Sequence, residues 1–247
     1  MEQEQRRSLH GRRKGKPLSA RRTGLMATAW PALSIDLALP PPILLTALFP
    51  VLVGNVRLEI GFGGGEHMVA EATAAPETGF IGVEPFVAGM GKAVAAVADR
   101  GLQNVRLFDG DAVHLLDWLP TASLAGVDLL YPDPWPKRRH WKRRFVSPEN
   151  LDRIARVLAP GGLFRVASDI DDYIAWTLLH VTRRLDFAWT AERADDWRKP
   201  FPGWPGTRYE AKAITAGRRP TYLAFRRTGE SCFSDRCAGV GKPNDRM

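Results

Sequence analysis

From residue 55 onward, short apolar runs alternate with longer stretches whose apolar positions recur every three to four residues, the periods of strand and helix. This pattern predicts strands at 56–60, 79–84, 104–108, 126–131 and 163–167, and helices at 66–75, 86–100, 111–119, 148–158 and about 170–184. A glycine loop at 61–65 separates the first strand from the first helix, and Pro160-Gly161-Gly162 stops the helix before the fifth strand. Repeated βα units of this length predict an α/β fold, a mostly parallel Rossmann-like sheet with helices on both faces. Two further β segments, 186–192 and 220–227, predict a closing antiparallel pair. Upstream, Pro40-Pro41-Pro42 precedes an apolar stretch at 43–49 that reads as helical.

The two ends differ in kind from this middle. Residues 1–24 carry Arg6, Arg7, Arg12, Arg13, Lys14, Lys16, Arg21 and Arg22 against Glu2 and Glu4, too little apolar surface to fold alone. The expected organisation is a basic flexible arm at 1–24, one domain at 25–228 and a flexible tail at 229–247. A chain of 247 residues, 45% of them hydrophobic, suffices for one domain of this class. The net charge of +8 points to a polyanionic partner. Cys232 and Cys237, spaced C-x4-C with no His nearby, make a poor metal site. No metal is therefore expected, and both read as thiols in a reducing compartment. No apolar run approaches the roughly 20 residues that span a bilayer, and the N-terminus lacks the apolar segment of a secretory signal. A cytoplasmic protein with no membrane partner is expected.

Chemistry enters at the strand ends. Leu58-Glu59-Ile60-Gly61-Phe62-Gly63-Gly64-Gly65 places glycines where the chain must turn sharply and let a ligand approach the backbone. A glycine loop alone fits a dinucleotide equally well, but the spacing here is G-x-G-x-G, with Glu66 where the dinucleotide pattern wants glycine or alanine. Glu59, just before the loop, suits an ammonium group and would repel a pyrophosphate. Glu84 closes the second strand, where a carboxylate can accept both hydroxyls of a ribose. Asp111 follows the third strand, where it can accept from an adenine amine. Either acid can instead cap the helix that follows it. Together, Gly61, Gly63, Glu59, Glu84 and Asp111 describe a cradle for an adenosine with a cationic tail.

The loop after the fourth strand, Tyr131-Pro132-Asp133-Pro134-Trp135-Pro136, is stiffened by three prolines and presents Asp133 and Trp135 with little freedom. Six cations follow in residues 137–144, with no acid among them. Beside a rigid carboxylate at the ligand-binding edge of the sheet, such a run favours RNA phosphates, with Trp135 or Trp141 stacking on a base or packing locally. The proline-framed Asp-Pro-Trp with its basic run and the Glu-Ile-Gly-Phe-Gly loop together resemble the bacterial tRNA (guanine-N7-)-methyltransferases. Thr207-Arg208-Tyr209-Glu210 is similar to that family's late Thr-x-(Phe/Tyr)-Glu motif, and the resemblance spans roughly residues 54–227. Pro136 departs from the pattern, since many members carry a polar or basic residue there.

The resemblance implies a class I S-adenosylmethionine-dependent methyltransferase that uses S-adenosyl-L-methionine to methylate N7 of a guanine in tRNA, the variable-loop guanosine at position 46. By position it places Glu59, Glu84, Asp111 and Asp133 at the cofactor, and Lys137, Asp169, Thr207, Arg208, Tyr209 and Glu210 at the substrate. Asp133 is its catalytic residue. The residues themselves leave room for blander roles: Ser168-Asp169 suits capping the next helix, and Thr207 with Glu210 a surface strand pair. The alternatives in function are a methyltransferase acting on an exocyclic amine and a non-catalytic RNA-binding module on the same sheet. A nicotinamide dehydrogenase is disfavoured by the glycine spacing. A monomer or a homodimer is expected.

Overall fold

The computed structural model describes residue 15 and residues 17–229. Cys232, Cys237 and most of the basic residues of the arm lie outside the described residues. The strands are β1 (Asn55–Ile60), β2 (Thr78–Val83), β3 (Val105–Phe108), β4 (Leu124–Leu130), β5 (Leu158–Ser168), β6 (Phe187–Trp189) and β7 (Thr221–Arg227). They form one sheet in the order β3-β2-β1-β4-β5-β7-β6. The first five are parallel, and β7 pairs antiparallel with both β5 and β6. The strand order reverses between β1 and β4, so their carboxyl ends open a crevice where ligands bind in sheets of this kind.

Alternation along each strand sends successive side chains to opposite faces. Leu58, Ile60, Val127, Leu129, Phe164 and Val166 meet helices α5 (Ala112–Trp118), α6 (Pro148–Val157) and α7 (Asp171–Val181) on one face. Phe80, Val105 and Leu107 meet α3 (Glu66–Ala74) and α4 (Val87–Arg100) on the other. On that second face the central strands carry charge instead of hydrocarbon: Glu59, Asp128 and Arg165 are all buried there.

Several elements depart from the pattern-based reading. Helix α1 (Ala20–Thr28) begins inside the stretch read as an arm. It packs on α4, where the Leu18 side chain lies against Gly91 and Arg21 pairs with Asp99. A four-residue helix α2 (Trp30–Leu33) follows it. The apolar stretch at 43–49 is only a 3-10 turn, Leu45–Leu48, because the prolines at 40–42 and Pro50 leave no room for more. Strand β5 starts five residues early and passes through Pro160-Gly161-Gly162 with a register shift against β4. Between β6 and β7 lie two helices that the hydrophobic pattern did not show, α8 (Asp195–Arg198) and α9 (Arg208–Thr215).

Candidate active site

A cavity of about 620 Å³ opens at the carboxyl ends of β1, β2 and β4. Its floor is the glycine loop, where Gly61, Gly63 and Gly65 all take positive φ. The fit against α4 is tight: a Cβ at Gly89 would lie 2.2 Å from the Gly63 carbonyl oxygen and 3.3 Å from Glu84 Cγ. Gly89→Ala therefore must push the loop and Glu84 together into the cavity. It is expected to weaken binding of S-adenosylhomocysteine, titrated calorimetrically, by about 10- to 100-fold. Unchanged affinity would show that the loop yields without disturbing the cavity.

Three acids, Glu84, Asp111 and Asp133, share the wall with three cations, Lys92, Arg143 and Arg208. Glu84 holds the loop in place, Oε2 accepting from the Gly63 N–H at 2.7 Å and Oε1 from the Phe86 N–H at 2.9 Å. Burial raises its carboxyl above the ordinary range, the two N–H donors pull it back, and the charges of Asp133 and Glu59 raise it again. Asp111 lines the cavity and also caps α5 by accepting from the Val113 N–H at 2.9 Å. Asp133 is exposed and lines the same cavity. A glycine floor with both carboxylates and cations around it suits a nucleoside with a zwitterionic tail. The residue set fits S-adenosylmethionine, whose amino-acid tail carries both charges.

Glu59 does not line the cavity. Alternation along β1 turns it to the α3 face, where Oε2 meets His67 Nδ1 at 2.6 Å. Burial alone would lower the His67 pKa, but the charge and hydrogen bond of Glu59 raise it on balance. The tilted ring of Trp204 stands 4.6 Å from that of His67.

The proline loop is strained where it carries the chemistry. Tyr131 and Trp135, two residues either side of Asp133, have φ of +51° and +42°, conformations that cost a non-glycine residue of order 1–3 kcal/mol. The basic run then coils into a 3-10 turn, Arg138–Arg143. Lys137, Arg138, Arg139 and Lys142 are exposed, and Lys137 stands outside the cavity wall. Arg143 turns inward to line the cavity, 5.0 Å over the Trp135 ring. Arg144 is buried, so the sixth cation of the run does not face solvent as the sequence suggested.

The late motif is a capping box at the start of α9, not a strand pair. Thr207 Oγ1 accepts from the Glu210 N–H at 3.0 Å, and Glu210 Oε2 accepts from the Thr207 N–H at 3.2 Å. Glu210 is 6% exposed and also takes hydrogen bonds from Trp204 Nε1, at 2.6 Å, and from the Tyr222 hydroxyl. Neither Thr207 nor Glu210 lines the cavity; their geometry presents Arg208 and Tyr209, which do. The Tyr209 ring lies over Gly63, 3.4 Å from where a Cβ would stand, and stacks on Tyr131 with centroids 6.4 Å apart and planes 20° apart. Asp169 is paired with Arg218 away from the cavity wall, and the backbone N–H of Ile170, not Asp169, takes the Ser168 hydroxyl as acceptor.

Of the residues picked from sequence, then, Gly61, Gly63, Glu84, Asp111, Asp133, Arg208 and Tyr209 share one cavity, and Glu59, Lys137, Asp169, Thr207 and Glu210 flank it. Sequence reasoning missed Lys92, Tyr131 and Arg143 as wall residues. Lys92 was signalled only by standing one helical turn after Gly89. Among the described residues no three His, Cys, Asp or Glu side chains are grouped to hold a metal, and no helix is long and apolar enough to cross a membrane.

A parallel sheet closed by an antiparallel strand, with a glycine floor at its switch point, defines a class I S-adenosylmethionine-dependent methyltransferase. The structure of the 16S rRNA methyltransferase KamB shares the fold, with a TM-score of 0.53 at 18% identity over 71% of this chain and 89% of that one. The family model described as "Putative methyltransferase" matches residues 54–223. The tRNA (guanine-N(7)-)-methyltransferase of Rhizobium meliloti is 60% identical over 220 residues, 89% of this chain and 95% of that protein. The protein of the same name from Mesorhizobium japonicum is 60% identical over 218 residues, 88% and 94% of the two chains. The chain belongs to the tRNA (guanine-N(7)-)-methyltransferase family.

Proposed function

We propose that this protein methylates N7 of a guanine in tRNA, the variable-loop guanosine at position 46. The observation that carries the reading is a juxtaposition: a glycine-floored cavity lined by acids and cations, whose rim is a proline-stiffened loop continuing into four exposed cations. Cations on the rim bind phosphate without reading sequence. The pocket takes one base out of its stack, and Tyr131 and Tyr209 offer it aromatic faces.

When bound, the cofactor supplies a methyl carbon on a sulfonium. Guanine N7 carries its own lone pair and needs no base. Held at the glycine loop and Glu84, the cofactor would supply its methyl group to that lone pair, sulfur would keep the electron pair of the bond given up, and the purine would take the positive charge. The protein's work is alignment, which contributes about 7–11 kcal/mol to reactions of this kind, and stabilisation of the moving charge. Glu84 orients the ribose and holds the glycine loop, and Asp133 faces the reacting base and can accept from its N1–H and exocyclic amine. The proposed enzyme is a monomer or a homodimer, in the cytoplasm with its tRNA.

The test is incubation with an unmodified tRNA transcript and methyl-labelled S-adenosylmethionine, followed by nucleoside analysis. The expected product is N7-methylguanosine, lost when position 46 carries adenosine. A methylated exocyclic amine would establish the amino-methyltransferase alternative, and no transfer at all the binding module.

A further inference from the structure

We infer that Arg144 is a positioning residue for methyl transfer, its caged guanidinium holding the Pro134 carbonyl and so setting Asp133 and Trp135 in the cavity. The inference rests on the reading of Asp133 given above.

The Arg144 side chain is 0% exposed, whereas Asp172, its acidic partner at the start of α7, is 56% exposed. Its guanidinium carbon stands 5.0 Å from the Trp141 ring, 4.9 Å from Trp176 and 5.7 Å from Tyr173. Nε donates to the Pro134 carbonyl at 3.0 Å, and Nη2 donates to Asp172 Oδ2. An arginine enclosed in this way reaches no phosphate, so its neighbours' role in RNA contact does not extend to it.

What it does reach is the middle of the chemical loop. The loop is anchored where it begins, Tyr131 N–H donating to the Ala167 carbonyl at 2.8 Å. It is anchored again just past its end, where Trp176 Nε1 donates to the Val146 carbonyl at 2.7 Å. Between those points the Arg144–Pro134 hydrogen bond spans ten residues and fastens the segment that carries Asp133 and Trp135 to helix α7. The left-handed Trp135 requires such a hold, because strained backbone persists only where its surroundings over-determine it. A planar fork serves two partners in fixed directions while its faces lie against rings; an ammonium does not. The charge is thus kept inside an aromatic cage that a hydrophobic side chain would otherwise fill.

The experiment is single-turnover methyl transfer to tRNA by Arg144→Lys, Asp172→Asn, Asp133→Ala and the double variants on Asp133→Ala, alongside equilibrium binding of S-adenosylhomocysteine and tRNA. Arg144→Lys is expected to slow transfer about 100-fold, the scale of an ångström-sized misplacement, with both affinities within about 3-fold. Asp172→Asn, at an exposed partner, is expected to slow it about 5- to 10-fold. On the Asp133→Ala background each is expected to cost less than about 2-fold more, because groups acting through one another are not additive. Losses that multiply on that background overturn the inference. So does an Arg144→Lys enzyme with an unaltered rate, or one that loses tRNA affinity alone. If Arg144→Lys does not fold, the Asp172→Asn pair of measurements decides by the same criterion. An Asp133→Ala enzyme that retains its rate would refute the role of Asp133 itself, a result distinct from any of these.

Discussion

Asp133→Ala is expected to fold, bind S-adenosylhomocysteine with near-native affinity and transfer methyl about 100- to 1,000-fold more slowly, the loss seen when one preorganised electrostatic group is removed from a transition state. Nothing in the fold depends on its side chain, which is exposed and flanked by two prolines that fix the backbone without it. Its charge nevertheless reaches across the cavity, since it helps raise the Glu84 carboxyl. A positive charge that moves from sulfur to a purine ring leaves one carboxylate and approaches another. In the proposed reaction Asp133 serves the second position. Asp133→Asn separates the two parts of the role. It keeps shape and an acceptor but not charge, so a loss close to that of alanine assigns the effect to electrostatics, and a loss of a few-fold assigns it to alignment. Steady-state kinetics with tRNA measures both. An Asp133→Ala rate within a few-fold of the parent would remove this residue from the reaction.

Much of this site was legible because its signals are local. The five βα units announce themselves by period, and the glycine loop, Glu84 and Asp111 fall at three consecutive strand ends, positions that any parallel sheet brings to one edge. Alternation could also have turned Glu59 away from the cavity: it sits between Leu58 and Ile60, both of which face α5 and α6. The family motif drew it toward the cofactor instead. Thr207-x-x-Glu210 likewise spells a capping box in plain sequence, yet the motif named all four of its residues as contacts, and the geometry sends only Arg208 and Tyr209 into the cavity. What no local rule could supply was non-local partnership. Arg144 differs from the exposed Arg138 only in what α7 brings against it. Helix α1 owes its place to a groove on α4 that Gly91 opens for Leu18.

The same non-local logic governs the largest expected loss of stability, at Arg165→Met. Arg165 binds Asp128 in a fork, Nε to Oδ1 and Nη2 to Oδ2 at 2.8 Å, and approaches Glu71 at 3.6 Å. Arg57 shares both acids, at 3.0 Å and 3.8 Å. With Glu59 held by His67, three buried or half-buried acids face two arginines and a histidine whose pKa is raised. Methionine keeps the bulk against the Phe201 ring, which lies 5.0 Å from the guanidinium, but strips one cation from this layer. Breaking a buried pair in this way costs about 3–5 kcal/mol, readable as a shift in the urea midpoint at unchanged slope. The pH dependence gives the cause. With Arg165 present, Asp128 is held down to about 2, against 3.8 for the free side chain. Its contribution to native stability is therefore complete above the unfolded value and is lost as pH falls through the folded one. Without Arg165, burial drives the Asp128 pKa upward, so protonation relieves the variant in the range where it harms the parent. The stability gap must narrow on acidification from neutral pH. A gap independent of pH would trace the loss to packing against Phe201, and a cost below about 1 kcal/mol would show that Arg57 alone satisfies Asp128. The layer bears on function because Trp204, which meets His67 here, also donates to Glu210 and so steadies the turn that carries Tyr209 over the glycine loop. Loosening the charges beneath that turn is expected to open the cavity's wall before the rest of the sheet gives way.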